Sequence, residues 1–125
     1  TFMGLQVNGY PNMFTTMAPM SPAAAYCNVP TCVQQQVDWI TDCITFARGR
    51  GAKAVEPTRE AQDAWVAHHD EVGNATLAMK RKSWHVRTDA QGNQQRLIAY
   101  ASGANRYHKL CDQVKEHGYK ELTVA

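Results

Sequence analysis

Pro11, Pro19, Pro22 and Pro30, with Gly4 and Gly9 among them, keep the first thirty residues of this chain out of regular helix. Proline lacks the N–H that a helix interior needs and pushes the residue before it toward extended dihedrals. Between these breaks stand short apolar runs, Phe2, Leu5 and Val7 and then Tyr10, Met13 and Phe14, which suit one or two short strands. Met3, Met13, Met17 and Met20 also fall here, and the pliable thioether serves equally as core filler or as the apolar wall of a pocket.

Past Pro30 the pattern changes period. Val33, Val37, Ile40, Ile44 and Ala47 recur at spacings of three and four, one face of an amphipathic helix, with Thr31 as N-cap, Gly49 or Gly51 as terminator and Trp39 packing beside the stripe. Its start presents N–H groups and partial positive charge to any electron-rich group placed before it. A second helix should begin at Pro57-Thr58 and turn Ala61, Trp65, His68 and Val72 inward. His68 and His69 are neighbours, about 100° apart on a helix, and neither has a histidine at i+4, so they cannot chelate one ion together. Residues 96–100 read as a strand, residues 105–116 as a helix burying Tyr107, Leu110, Cys111 and Val114, and residues 119–124 as an edge strand after a Gly118 cap.

Thirteen basic residues against eleven acidic ones give a net charge of +2, neither a nucleic-acid footprint nor an acidic tail. The local clusters at Arg48 and Arg50 and at Lys80, Arg81 and Lys82 read as solvated loops. Cys27, Cys32, Cys43 and Cys111 match no zinc or CxxC spacing and are expected to be buried free thiols of a reducing cytoplasm. No long apolar run suggests a membrane span, and the Asn74-Ala75-Thr76 sequon falls within a helical pattern.

GYPNMF (residues 9–14), APMSPAAAYCN (18–28), QQQVDWI (34–40), WVAHHDEVGNATL (65–77), Ser83-Trp84 and KLCDQVKEHGYKEL (109–122) follow one another in an order that resembles the C-terminal end of Baeyer–Villiger monooxygenases. These are flavoproteins of the cyclohexanone and phenylacetone monooxygenase type. The resemblance covers nearly the whole chain and implies an α+β fold, mostly helical with a few short strands, forming the C-terminal part of a two-dinucleotide-domain enzyme that uses FAD and NADPH. Residues 1–30 would be a strand and loop segment of the FAD side, and residues 31–125 a helical C-terminal region. It further implies that main-chain atoms of Asn28 and Val29 approach the pyrimidine edge of the flavin, where negative charge gathers on reduction. Met20, Ala24, Ala25, Tyr26 and Cys27 would line the substrate cavity, and the Trp84 indole would reach the NADPH side. A buried tryptophan after a basic turn is the plainer alternative for Trp84. No catalytic side chain and no metal site is assigned.

Two departures from the family pattern stand out. Ala18 and Met20 replace glycines of a motif resembling G-P-x-S-P, so a side chain at Met20 narrows the expected pocket. After Trp84, the family's loop resembling Y-x-G-A-N-I-P-G-K gives way to residues 85–95, a polar stretch expected to be a mobile loop. No GxGxxG follows a strand anywhere in the chain. The resemblance therefore implies a fragment, inactive and self-associating on its own, of an enzyme that inserts oxygen beside a ketone carbonyl to give an ester or lactone. The partner is a small-molecule ketone, with no nucleic acid and no membrane. A fragment of an N-hydroxylating flavin monooxygenase and a non-catalytic helical interaction module are the alternatives.

Overall fold

The computed structural model describes residues 1–22 and 26–125. Three helices, α1 (Val29–Gly49), α2 (Arg59–Asn74) and α3 (Ala104–Glu116), pack with two separate two-stranded antiparallel sheets. One sheet joins β1 (Val55–Pro57) to β4 (Leu122–Val124), and the other is the hairpin of β2 (Val86–Thr88) and β3 (Gln94–Leu97). The fold is thus α+β and mostly helical, as expected from sequence.

The start of α1 lies three residues earlier than the sequence suggests. Asn28, not Thr31, is the N-cap, and its Oδ1 accepts the Thr31 N–H at 3.3 Å. Pro30 sits inside the first turn, where its missing N–H costs nothing because no intrahelical acceptor exists there. The buried face also differs: Cys32, Gln36, Trp39, Cys43 and Ala47 point inward, and Val37 is left exposed. The reason is that this face finds partners for the Trp39 N–H and the Gln36 amide oxygen. The Trp39 indole donates to the Cys111 carbonyl at 3.0 Å and the Gln36 amide oxygen accepts from the Met17 N–H at 2.8 Å. Trp39 also meets Tyr119 edge-on, at 5.5 Å between ring centroids.

Thr58 caps α2 by accepting from the Ala61 N–H. Trp65, His69 and Gly73 form its buried stripe, while Ala61 and Val72 pack at the margin of the core and His68 is half-buried. The stripe turns toward β3. The His69 Nε2 donates to the Leu97 carbonyl at 2.7 Å, and at Gly73 an added Cβ would stand 3.3 Å from the Leu97 Cβ. On α3, Tyr107, Cys111 and Val114 are buried as the sequence predicts.

Residues 85–95, expected to be a loop, form the β2–β3 hairpin instead. Its turn is organised by the Asp89 carboxylate, which accepts from the backbone N–H groups of Gln91 and Asn93 and from the side chains of Asn93 and Gln95. One carboxylate with four donors replaces the usual two-residue turn chemistry, and those bonds hold the carboxyl below its ordinary pKa. The strand expected over residues 96–100 ends at Leu97. β1 was not legible, since three residues ending in proline carry no period.

The first twenty-two residues hold no named strand, only a Phe2–Gln6 bridge and a series of tight turns. They are nonetheless central to the core, which gathers Phe2, Met3, Leu5 and Met20 around Trp65, Tyr100 and Tyr107. The Tyr107 hydroxyl donates to the Met3 carbonyl at 2.7 Å, across 104 residues of chain. Gly4 shows why the turn there needs glycine: its φ is +69°, and an added Cβ would fall 2.5 Å from the Ser21 Cβ.

The cysteine expectation is half corrected. Cys43 and Cys111 are buried free thiols, but Cys27 and Cys32 are paired as a disulfide because the turn into α1 brings their Cα atoms to 6.4 Å.

Candidate functional site

The residues singled out in the sequence lie on three segments. Met20 precedes the α1 entry, Asn28 and Val29 form that entry, and Trp84 precedes β2. Backbone hydrogen bonds join the first and third. The Met20 N–H donates to the Ile98 carbonyl at 2.8 Å, and the Ile98 N–H donates to the His85 carbonyl at 2.8 Å. Two residues on, the Tyr100 N–H donates to the Ser21 carbonyl at 2.9 Å. Residues 98–100 thus tie the turn at Met20 to the chain just after Trp84.

Met20 itself is 7% exposed and packs into the core, with its carbonyl accepting the Trp65 indole N–H at 3.2 Å. Its φ is +74°, a left-handed conformation that costs a side-chain-bearing residue about 1–2 kcal/mol relative to glycine. That gives a physical reason for a family pattern with glycine at this position. Tyr26 and Cys27 are half-buried, and Ala24 and Ala25 lie outside the described residues.

Asn28 and Val29 are exposed at the helix start. No acidic residue occupies the first turn of α1, so its partial positive charge is not neutralised from within. Backbone N–H donors with that bias suit the electron-rich edge of a flavin ring. The groove that runs from this helix start between α1 and α3, about 680 Å³, has the opposite character. Asp38, Asp42 and Asp112 line it, with Lys115 paired to Asp42, and such a wall repels a pyrophosphate. The described residues therefore fit an edge contact to a flavin and not a dinucleotide cradle.

Trp84 is 82% exposed and stacks on His85 at 3.8 Å between ring centroids. The plainer alternative, a buried tryptophan, does not describe it. An indole of that size left in water, in a chain that buries Trp39 and Trp65, presents a flat apolar face and one N–H to whatever meets this side of the molecule.

The two adjacent histidines diverge as the helix geometry requires. His68 pairs with the Tyr100 hydroxyl at 2.9 Å, and His69 with the Leu97 carbonyl. Burial lowers the pKa of both, and nearby Arg106 adds to the effect at His68, so each is biased toward the neutral ring. Both support the hairpin side of the site rather than forming a separate centre.

Sequence reasoning missed Ile98, Trp65 and Tyr100 as the parts that hold the site segments together. Their roles rest on pairings across 13 to 79 residues, for example Trp65 to Met20 across 45. The one local signal was the unbroken apolar run Leu97-Ile98-Ala99-Tyr100, of which Leu97, Ala99 and Tyr100 are buried and Ile98 is 37% exposed.

No protein-family model matches the chain. Among curated proteins it is 45% identical over 125 residues to the acetone monooxygenase (methyl acetate-forming) of Gordonia sp. (strain TY-5), covering 100% of this chain and 24% of that protein. It is 30% identical over 124 residues to the cyclohexanone 1,2-monooxygenase of Acinetobacter sp., covering 99% of this chain and 22% of that protein. The crystal structure of OTEMO in complex with FAD and NADP superposes with a TM-score of 0.89 at 30% identity, over 100% of this chain and 22% of the other. By sequence along its whole length and by fold, the chain is similar to one segment of the Baeyer–Villiger flavin monooxygenases and spans about a quarter of their length or less.

Proposed function

We propose that this chain is the C-terminal segment of an FAD- and NADPH-dependent monooxygenase that inserts one oxygen atom beside a ketone carbonyl, giving an ester or lactone, and that the segment alone does not turn over. The observation that carries the reading is the hydrogen-bonded run from Met20 through Ile98 to His85, which sets the turn before α1 beside the exposed Trp84. Residues 1–30 serve the FAD side and residues 31–125 the remaining helical region, within a two-dinucleotide-domain protein. The 45% identity to an acetone-oxidising relative supports a small ketone as the substrate class.

In this reading the flavin, when bound, supplies the activation of molecular oxygen, and NADPH supplies the electrons. The chain's own residues position and enclose. Main-chain N–H groups at Asn28 and Val29 stabilise negative charge at the flavin edge without a side chain that titrates. Ala24, Ala25, Tyr26 and Cys27 would form one wall of the substrate cavity, while Met20, whose side chain is buried in the core and not in a pocket, holds the turn behind that wall. The Trp84 indole offers its face and single donor to the nicotinamide nucleotide.

The test compares two proteins. The full-length protein carrying this segment should be isolated yellow and should consume NADPH and oxygen with a small ketone, producing an ester detectable by gas chromatography. The 125-residue chain alone should retain neither FAD nor NADPH on a desalting column, because the phosphate of each needs a glycine turn at a helix start. Stoichiometric flavin on the isolated chain, or a full-length protein that uses NADPH without forming ester, would sink the reading.

A further inference from the structure

We propose that Cys27 and Cys32 are a reversible dithiol–disulfide pair, a modification site that locks the entry to α1. The ring it closes contains Asn28, Val29, Pro30 and Thr31, that is, the N-cap and the whole first turn ahead of Cys32. The two sulfurs differ in access: Cys27 is half-buried, whereas Cys32 is 1% exposed. An external thiol or disulfide therefore reaches the pair through the Cys27 sulfur.

The other two cysteines supply a contrast within the same molecule. Cys43 and Cys111 are buried and free, and burial pushes each thiol up to about 12, so neither forms appreciable thiolate near neutrality. Oxidation is thereby confined to the pair at the helix start.

The chemistry balances with glutathione disulfide as the oxidant. The Cys27 thiolate attacks one sulfur of glutathione disulfide, the S–S bond of that molecule breaks, and one glutathione thiolate leaves. The Cys32 thiolate then attacks the Cys27 sulfur of the mixed disulfide and displaces the second glutathione. Two protein thiols lose two electrons and two protons, and one glutathione disulfide becomes two glutathione thiols. A reduced dithiol runs the same steps backward.

Closing the ring fixes the backbone that bears the Asn28 cap, and opening it frees residues 26–28 to move while the helix beyond Thr31 keeps its own hydrogen bonds. The functional consequence, though not the pairing, rests on the monooxygenase reading: the ring holds both residues placed at the flavin edge, so its redox state would tune cofactor contact.

The full-chain protein is reduced, equilibrated in glutathione buffers of rising disulfide content, quenched in acid, unfolded and alkylated, and its mass counted. Four alkylated cysteines should become two, with the cross-link in the peptide that holds Cys27 and Cys32, and amide exchange over residues 26–29 should slow in the oxidised form. Cys27→Ser should give three alkylated cysteines in every buffer and exchange that no longer responds to redox state. Four alkylated cysteines throughout, a cross-link to Cys43 or Cys111, or identical exchange in both forms would overturn the proposal. None of these readouts needs bound flavin or turnover, so failure of the oxygenase reading stays separate from failure of this one.

Discussion

Trp65 is where stability and site geometry meet, and replacing it separates the two contributions. Its indole is 6% exposed, lies 5.0 Å from the Tyr100 ring between centroids, and donates to the Met20 carbonyl at 3.2 Å. Trp65→Phe keeps most of the apolar volume and the ring contact but removes the donor, leaving a buried carbonyl short of its partner. That should cost about 1–3 kcal/mol. Trp65→Ala also opens a large cavity under the Met20 turn and should cost about 3–5 kcal/mol. For a chain of this size each kcal/mol lowers Tm by roughly 4 °C, so the two variants should melt in clearly separated ranges below the parent. Urea unfolding followed by far-ultraviolet circular dichroism gives the free energies, and hydrogen exchange at the Met20 and Ile98 amides reports whether the tie loosens. A Trp65→Phe variant within about 0.3 kcal/mol of the parent, with unchanged exchange at Met20, would refute the idea that this hydrogen bond holds the turn, since the expected loss exceeds it several-fold.

Gly4→Ala should destabilise by about 2–4 kcal/mol in the same assay, because the added Cβ meets the Ser21 backbone at 2.8 Å in a left-handed conformation; a neutral result would mean the turn relaxes freely. In the full-length protein, Trp84→Ala should slow flavin reduction by NADPH through the loss of about 1 kcal/mol or somewhat more, with FAD content near normal, and unchanged stopped-flow kinetics would reduce Trp84 to a surface residue. His69 gives the pH dependence. Burial lowers its pKa in the folded state, so the unfolded chain takes up the proton first; stability is full above the ordinary value of 6.5 and falls as pH drops below it. Tm should therefore decline from about pH 7 toward pH 5, and His69→Gln, which keeps a donor for the Leu97 carbonyl, should flatten that decline; a parent whose Tm is level across this range would contradict the assignment.

Much of this architecture could be read locally. The three helices follow from hydrophobic spacing and from Thr58 and Gly118 as punctuation, and proline spacing keeps helix out of the described residues ahead of Asn28, although Pro30 itself sits in the first turn of α1. The family followed from short motifs in order. What local pattern could not decide was direction and partnership. On α1 the apolar stripe through Val37 and the stripe through Gln36 are one residue apart, about 100° of rotation, and the second is buried because Met17 and Cys111 lie opposite to pair with the Gln36 amide oxygen and the Trp39 N–H. The residues after Trp84 read as a loop because a four-donor turn around Asp89 has no simple sequence signature, yet those bonds make a hairpin.

The same division runs through the candidate site. Sequence alone determined its parts: a helix entry rich in backbone donors, a pliable run before it, and an indole after a basic stretch. Only tertiary structure decided that Met20 is held in the core by Trp65, that Ile98 ties it to His85, that Trp84 stands in solvent, and that Cys27 and Cys32 meet. The physical reason is range. Propensity, capping and periodicity act within a few residues and are written into neighbouring side chains. A hydrogen bond between Met20 and Ile98 exists only after 78 residues of chain have been brought back on themselves by burial of a core to which both ends of the chain contribute.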